Sequence, residues 1–473
     1  MKKIVTLLLI SFYSGIVFSQ DMQKEKIDAM KDKVVRFFNE QNADSLYSLT
    51  GAAFKKSLSA EKFRAIGENN LFPLGKINAA EFEKIDKGVS KYKTTFETAI
   101  LSMYLSLDAE GKLETFLFQP YKKEITGDIK KTATDNKLSS ELDKKIENIV
   151  QSFMFESKTV GLSIGILKDG KTYFYNYGET KKGNRQIPSS KNLYEIGSIT
   201  KTFTSLLLAK AVIENKIQLN DPVSKYIPKN IPIIKFENST LKIIHLANHT
   251  SGLPPLPDNF GATDLVNPYK DYDATKLLTY LKVAKLSRKP GEKFEYCNLA
   301  VGLLGNILER VNNMPFEKMV KDFICSKANM NDTKQFLEKK DSALFVQGYN
   351  ENIDLQSQWD FEALAAAGCI RSNTEDMLKY ASMQLGSATT IHLQNAITLS
   401  HQPTFDAGNQ KIALNWFIQD WGWGPILFHG GQTGGYKSFL AINEKTKNAV
   451  IILANTAVSN DEIGVKILGY LDK

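Results

Sequence analysis

The spacing of apolar positions divides the chain into two patterned regions joined by a polar stretch. From Gln23 to about Pro120 a helical repeat predicts a helix from Ile27 to Asn39 and a second helical stretch around Ser57 to Glu68. Period-two alternation, as in Thr95, Phe96, Glu97 and Thr98, then predicts strands from Gly75 to Ile85, Ser90 to Tyr104 and Leu113 to Gln119. Residues 23–120 therefore read as a small α+β domain. Residues 121–138 are rich in Lys, Thr and Asp and poor in apolar side chains, the composition of a linker. From Ser139 a helix is predicted through Phe155, then strands from Val160 to Lys168 and Thr172 to Tyr177, with Asp169-Gly170 as the hairpin turn. A second hairpin, Ser438 to Asn443 and Ala449 to Asn455, lies near the end, followed by a helix to Leu471. Strands at both ends of a helix-rich region predict an α+β fold over residues 139–473. One antiparallel sheet is assembled from both ends, with flanking helices and a mostly helical insertion.

The first residues follow a different rule. Lys2 and Lys3 precede apolar runs from Ile4 to Ile10 and Phe12 to Phe18, and Ser19-Gln20 ends them. A positive start and an apolar stretch too short to span a bilayer predict a signal peptide over residues 1–20, hence a periplasmic or secreted protein. No later segment approaches the roughly 20 apolar residues of a membrane span, so no stable membrane insertion is expected after cleavage. The 60 basic and 52 acidic residues give a net charge of +8, but the Lys residues are scattered, which argues against a nucleic-acid partner. That charge suits association with anionic cell-wall polymers, but a solvated Lys-rich face is the favoured account of it. The three cysteines, Cys297, Cys325 and Cys369, provide no disulfide framework and read as small buried side chains. Five histidines without ligand spacing predict no metal, and no cofactor motif occurs. No pattern speaks to oligomeric state. The order of helices and strands in residues 23–120 resembles the small cone-shaped domains of the nuclear-transport-factor-like superfamily, in which helices pack on a curved sheet.

Candidate chemistry centres on Ser198. The segment Gly197-Ser198-Ile199-Thr200-Lys201 opens a helical run, and Lys201, three residues on, shares a face with Ser198. A serine hydroxyl becomes a useful nucleophile only when a neighbouring base takes its proton. Ser59 to Lys62 and Ser90 to Lys93 have the same spacing, so company distinguishes Ser198. That company is Tyr296-Cys297-Asn298, the only Tyr-x-Asn in the chain, and His429-Gly430-Gly431-Gln432-Thr433-Gly434-Gly435 ahead of the last hairpin.

These three elements in this order resemble the class C β-lactamase-like family of penicillin-recognising serine hydrolases. Leu246 to Pro254 and Ala367 to Ser372 are further landmarks, and the resemblance covers residues 139–473. It implies Ser198 as the acylated nucleophile, Lys201 as its proton partner and Tyr296 as general base. It also implies Asn298 as a ligand of Lys201 and of the substrate, and the Ser198 and Gln432 N–H groups as an oxyanion hole. His429 and Gly431 would complete the substrate-binding strand. Where the family's β-lactamases usually carry Lys-Thr-Gly, this chain has His429-Gly430-Gly431. An unperturbed imidazole is mostly neutral at pH 7 and does not supply the lysine's fixed charge for a substrate carboxylate. The expectation is a small-molecule or peptide substrate with an ester, amide or D-amino-acid peptide bond. A class C type β-lactamase and a non-catalytic penicillin-binding-like sensor are the alternatives.

Overall fold

The structure, a computed structural model, describes residues 20–86, 88–121, 131–387 and 390–472. The expected signal peptide lies outside the described residues except for Gln20, as do residues 122–130 of the polar stretch. Among the described residues no helix is long and apolar enough to cross a membrane. The chain forms two compact units, Met1–Ile129 and Lys130–Lys473.

In the first unit a long helix, α1 (Gln20–Asn39), is followed by three short ones, Ala43–Ser48, Ala52–Ser57 and Ala60–Ile66. A four-stranded antiparallel sheet comes next, its strands in chain order: β1 (Ile77–Asp86), β2 (Val89–Phe96), β3 (Ile100–Leu107) and β4 (Leu113–Pro120). Ile27, Met30, Val34 and Phe38 recur at helical spacing on α1 and are all buried. Phe38 meets Phe96 and Phe118 edge-on, with ring centres 5.3 and 6.0 Å apart. The single strand expected from Ser90 to Tyr104 is two. The chain turns at Glu97–Ala99, where the Phe96 N–H donates to the Ala99 carbonyl at 2.8 Å. Alternation continues on both sides and no Gly or Pro marks the turn, so periodicity alone conceals it.

In the second unit, residues 131–136 run beside the hairpin, with a bridge between Thr134 and Tyr177. Ser140 caps α2 (Glu141–Ser157) through a reciprocal box with Asp143. The hairpin β5 (Gly161–Lys168) and β6 (Lys171–Gly178) turns on Asp169 and Gly170, both at positive φ. The short strand β7 (Tyr194–Glu195) pairs with β8 (Arg371–Ser372). Two helices matter for the site: α3 (Thr200–Ile213) and α4 (Asn298–Asn312). The closing run is β9 (Phe405–Asp406), β10 (Lys411–Ile412), β11 (Phe417–Asp420), β12 (Pro425–Gln432), β13 (Lys437–Asn443), β14 (Asn448–Ala454) and α5 (Asp461–Leu471).

The eight-stranded sheet has the order β9-β10-β11-β12-β13-β14-β5-β6. Antiparallel pairing of Ile451 with Gly165 joins the two ends of the unit, as the α+β reading expected. Phe439, Val450 and Ile452 face α2 and α5, while Leu440, Ile451 and Leu453 face the larger helical core. With both faces covered, every residue of β14 is buried, which is why this strand reads as an apolar run. Truncating Ile451 to Ala would cost about 2 to 5 kcal/mol in such packing. Asn373 caps the helix that follows, its side chain accepting from the Asp376 N–H at 2.8 Å. Ser372 is held in β8 and hydrogen-bonds Thr333 instead.

Candidate active site

Ser198 sits in a single 3-10 turn, Gly197–Ile199, between β7 and α3. The helix behind it is buried on nearly every side, polar first turns included, which fixes its start in the core. Gly197 has φ +49°, and a Cβ there would stand 2.7 Å from the Gln432 nitrogen. Gly431 is equally constrained, since a Cβ would meet the Ile196 carbonyl oxygen at 2.0 Å. These two glycines let the end of β12 lie against the main chain that carries Ser198. The Ser438 hydroxyl donates to the same Ile196 oxygen at 2.8 Å.

Lys201 is fully buried and its Nζ lies 2.9 Å from Ser198 Oγ. The same Nζ donates to the Ala367 carbonyl at 2.6 Å and stands 4.8 Å from the centre of the Tyr296 ring. The Tyr296 hydroxyl faces the Ser198 hydroxyl, the one influence that lowers its pKa. Burial dominates and raises the phenol above its usual range. Burial likewise pushes the Lys201 ammonium well below its usual range. Burial thus disfavours the charged form of both groups, the ammonium of Lys201 and the phenolate of Tyr296.

Tyr296 is held by what surrounds it. Cys297 caps α4, its sulfur accepting from the Ala300 N–H at 3.2 Å. Burial raises its thiol to about 11, so it is a packing residue and no nucleophile. The Cys297 N–H donates to His249 Nδ1 at 3.1 Å, and the His249 ring stacks on Tyr296 at 4.4 Å. Asn298 heads α4 but makes no hydrogen bond to Lys201, whose partner is the Ala367 carbonyl; the Asn298 side chain meets the Tyr269 hydroxyl instead.

His429 comes from β12 with its ring centre 6.2 Å from that of Tyr296 and 4.9 Å from that of Phe417. Its Nδ1 lies 2.6 Å from the Gly430 carbonyl, so Nδ1 carries the proton and Nε2 keeps its lone pair. Burial lowers the imidazole to about 3, so it is neutral at physiological pH. Gln432 is exposed at the strand end.

The structure therefore brings Ser198, Lys201, Tyr296 and His429 into one cluster, with Gly431 and Gln432 at its edge. Three contributions were not singled out from the sequence: the Ala367 carbonyl, the His249 stack and Trp359, whose indole lies against Gly434. The Ala367–Ser372 and Leu246–Pro254 landmarks carried a signal for the first two, and none pointed to Trp359. The other aromatic candidates for a wall, Trp416, Trp421 and Trp423, pack elsewhere. Trp416 is in the core, Trp421 lies on Phe428 and Phe439, and Trp423 lies on Gly469.

The beta-lactamase family model matches residues 146–468. A beta-lactamase of Pseudomonas fluorescens is 24% identical over 356 residues, spanning 68% of this chain and 96% of that protein. A beta-lactamase of Providencia stuartii is 28% identical over 284 residues, 59% of this chain and 68% of that one. A solved structure described as a beta-lactamase/D-alanine carboxypeptidase from Pseudomonas syringae has a TM-score of 0.63 at 24% identity, covering 70% of this chain and 98% of that one.

Proposed function

Since this chain belongs to the beta-lactamase family and is a serine hydrolase, we propose that it cleaves an ester, amide or D-amino-acid peptide bond through an acyl-enzyme on Ser198. The observation that carries the reading is the 2.9 Å approach of the buried Lys201 Nζ to Ser198 Oγ. In this reading the Lys201 amine takes the proton of Ser198 as its oxygen attacks the substrate carbonyl. Negative charge on the carbonyl oxygen is met by the main-chain N–H groups of Ser198 and Gln432, which the close packing of Gly197 and Gly431 holds together. The Tyr296 phenol passes a proton to the leaving group and recovers it by way of Lys201. Water then attacks the acyl-enzyme by the reverse path, releasing the acid.

A neutral His429 supports a substrate that carries no carboxylate next to the leaving group, because the third element offers no fixed cation. A class C type β-lactamase is the second reading, favoured by the names of the relatives. Export through the segment at residues 1–20 and a binding or assembly role for residues 23–120 belong to the same proposal. The test is a panel of p-nitrophenyl esters, D-amino-acid amides and a chromogenic cephalosporin on wild type and Ser198→Ala, with fluorophosphonate labelling of Ser198. Turnover of the esters or amides that vanishes with Ser198→Ala supports the first reading. Preferred turnover of the cephalosporin supports the second, and neither activity nor label would overturn both.

A further inference from the structure

Glu195 stands three residues before Ser198 and is 3% exposed, yet it plays no part in the chemistry above. It pairs across the short β7–β8 ladder with Arg371, itself 2% exposed, and Arg371 Nη2 lies 3.5 Å from Glu195 Oε1. The same Oε1 accepts the Trp359 N–H at 2.6 Å. Arg371 Nη2 in turn donates to the Trp359 carbonyl at 2.7 Å and to Asp360 Oδ1 at 3.0 Å. Both main-chain groups of Trp359 are thus tied to one buried ion pair. The other oxygen, Oε2, is buried without a closed hydrogen bond and has the Thr433 side chain facing it, next to Gln432.

The Trp359 side chain reaches both edges of the cleft. Its Nε1 would be 2.9 Å from a Cβ at Gly434, so the indole lies on the turn that follows Gln432. Its ring centre is 5.2 Å from that of Tyr269, whose hydroxyl meets Asn298. We infer that Glu195 is a positioning residue: paired with Arg371, it holds the Trp359 main chain so that the indole forms the wall between the Gln432–Gly435 turn and Asn298. That wall sets the fit of the substrate's acyl part while leaving the reaction at Ser198 unchanged. The inference rests on the assignment of Ser198, Gln432 and Asn298 to one cleft.

Burial raises the Glu195 carboxyl to about 7, against the pull of Arg371, Thr433 and the Trp359 N–H, and Asp360 adds to the rise. Tyr436 also faces it, and that phenol stays protonated because burial raises it well above its usual range. Glu195 is therefore the group of this cluster that changes charge near neutrality. As pH falls through about 7 it protonates, its grip on Arg371 and Trp359 loosens, and affinity for a bulky acyl group falls.

The experiment measures Kd for a bulky-acyl and an acetyl p-nitrophenyl ester in a Ser198→Ala background, where binding needs no nucleophile, combined with Glu195→Gln, Trp359→Ala or both. Expected is a roughly tenfold weaker Kd for the bulky ester with either change, no further loss with both, and little change for the acetyl ester. With Glu195 intact, Kd for the bulky ester should rise from pH 8 to pH 6, and with Glu195→Gln it should stay flat. Unchanged Kd, additive losses or a flat profile with Glu195 intact would each overturn the inference. Thermal unfolding of the partly exposed Trp359→Ala variant controls for folding. Continued ester hydrolysis by Ser198→Ala alone would instead count against Ser198 as nucleophile, and the binding comparison would still decide the role of Glu195.

Discussion

The imidazole of His249 lies face to face with the phenol of Tyr296, ring centres 4.4 Å apart and planes 28° apart. The contact joins a residue of the Leu246–Pro254 landmark to the one that the resemblance implied as general base. His249 also receives the Cys297 N–H, so one ring orients both the side chain of Tyr296 and the main chain after it. Tyr296→Phe keeps the stack and removes only the hydroxyl. It should lower kcat by about 10² to 10³ with little change in melting temperature. His249→Ala should lower both, costing about 2 to 4 kcal/mol in stability. Steady-state kinetics beside thermal unfolding separates the two.

Removing the base should cost more than removing its partners. Lys201→Ala and Lys201→Arg should each reduce kcat by about 10² to 10⁴, since an arginine fills space but stays protonated. In the wild type, burial depresses Lys201, so it keeps its lone pair below the range in which a free lysine takes up its proton. Activity should therefore hold on that side and be lost only as the amine protonates at lower pH. A kcat profile that rises steeply between pH 8 and 10 would count against a neutral Lys201.

Histidine burial predicts the acid side of stability. His249 and His429 are fully buried and His245 partly, and desolvation lowers all three, His245 to about 4 and His429 to about 3. Unfolded imidazoles take up protons below about pH 6.5, so the unfolded chain binds more protons and stability falls as pH drops from there. Glu195 and Glu309, raised by burial, bind protons in the fold and oppose part of that loss. The net expectation is a fall of roughly 1 to 2 kcal/mol per pH unit between pH 6 and 5. Urea unfolding at the two pH values measures it, and His249→Asn should lower the slope.

His429→Lys would restore a cation to the third element. If the missing charge is what keeps carboxylate-bearing substrates out, cephalosporin turnover should rise about tenfold in kcat/KM, one charge-assisted hydrogen bond's worth, while neutral ester turnover does not. The substitution buries a charge near Lys201, so a lower melting temperature should accompany it.

Gly431→Ala should be far more damaging than its size implies. The added Cβ would press into the Ile196 carbonyl from a strand end that has no room to retreat, separating Gln432 from Ser198. A fall of about 10² or more in kcat is expected, with a smaller effect on substrate affinity.

The chain's own pattern made much of this legible. Ser198 and Lys201 lie one helical turn apart, so their meeting follows from local geometry. The hairpin at Asp169-Gly170 is legible for the same reason. Both depend on residues close in sequence, where backbone geometry leaves few choices. The turn at Glu97–Ala99 was missed because alternation continues through it. Asn373 and not Ser372 caps the following helix because Ser372 is drawn into β8, a pairing that no local pattern reveals.

What sequence alone determined is the set of chemical groups: a hydroxyl, an amine, a phenol and an imidazole in place of a lysine. Packing decided everything that depends on distant segments meeting. It put the Ala367 carbonyl, not Asn298, on Lys201, slid His249 under Tyr296, and made Trp359 a wall held by Glu195 and Arg371. It also set the charge states. Desolvation is a property of the surrounding core, and no spacing along the chain reveals that a lysine will sit without water beside a serine.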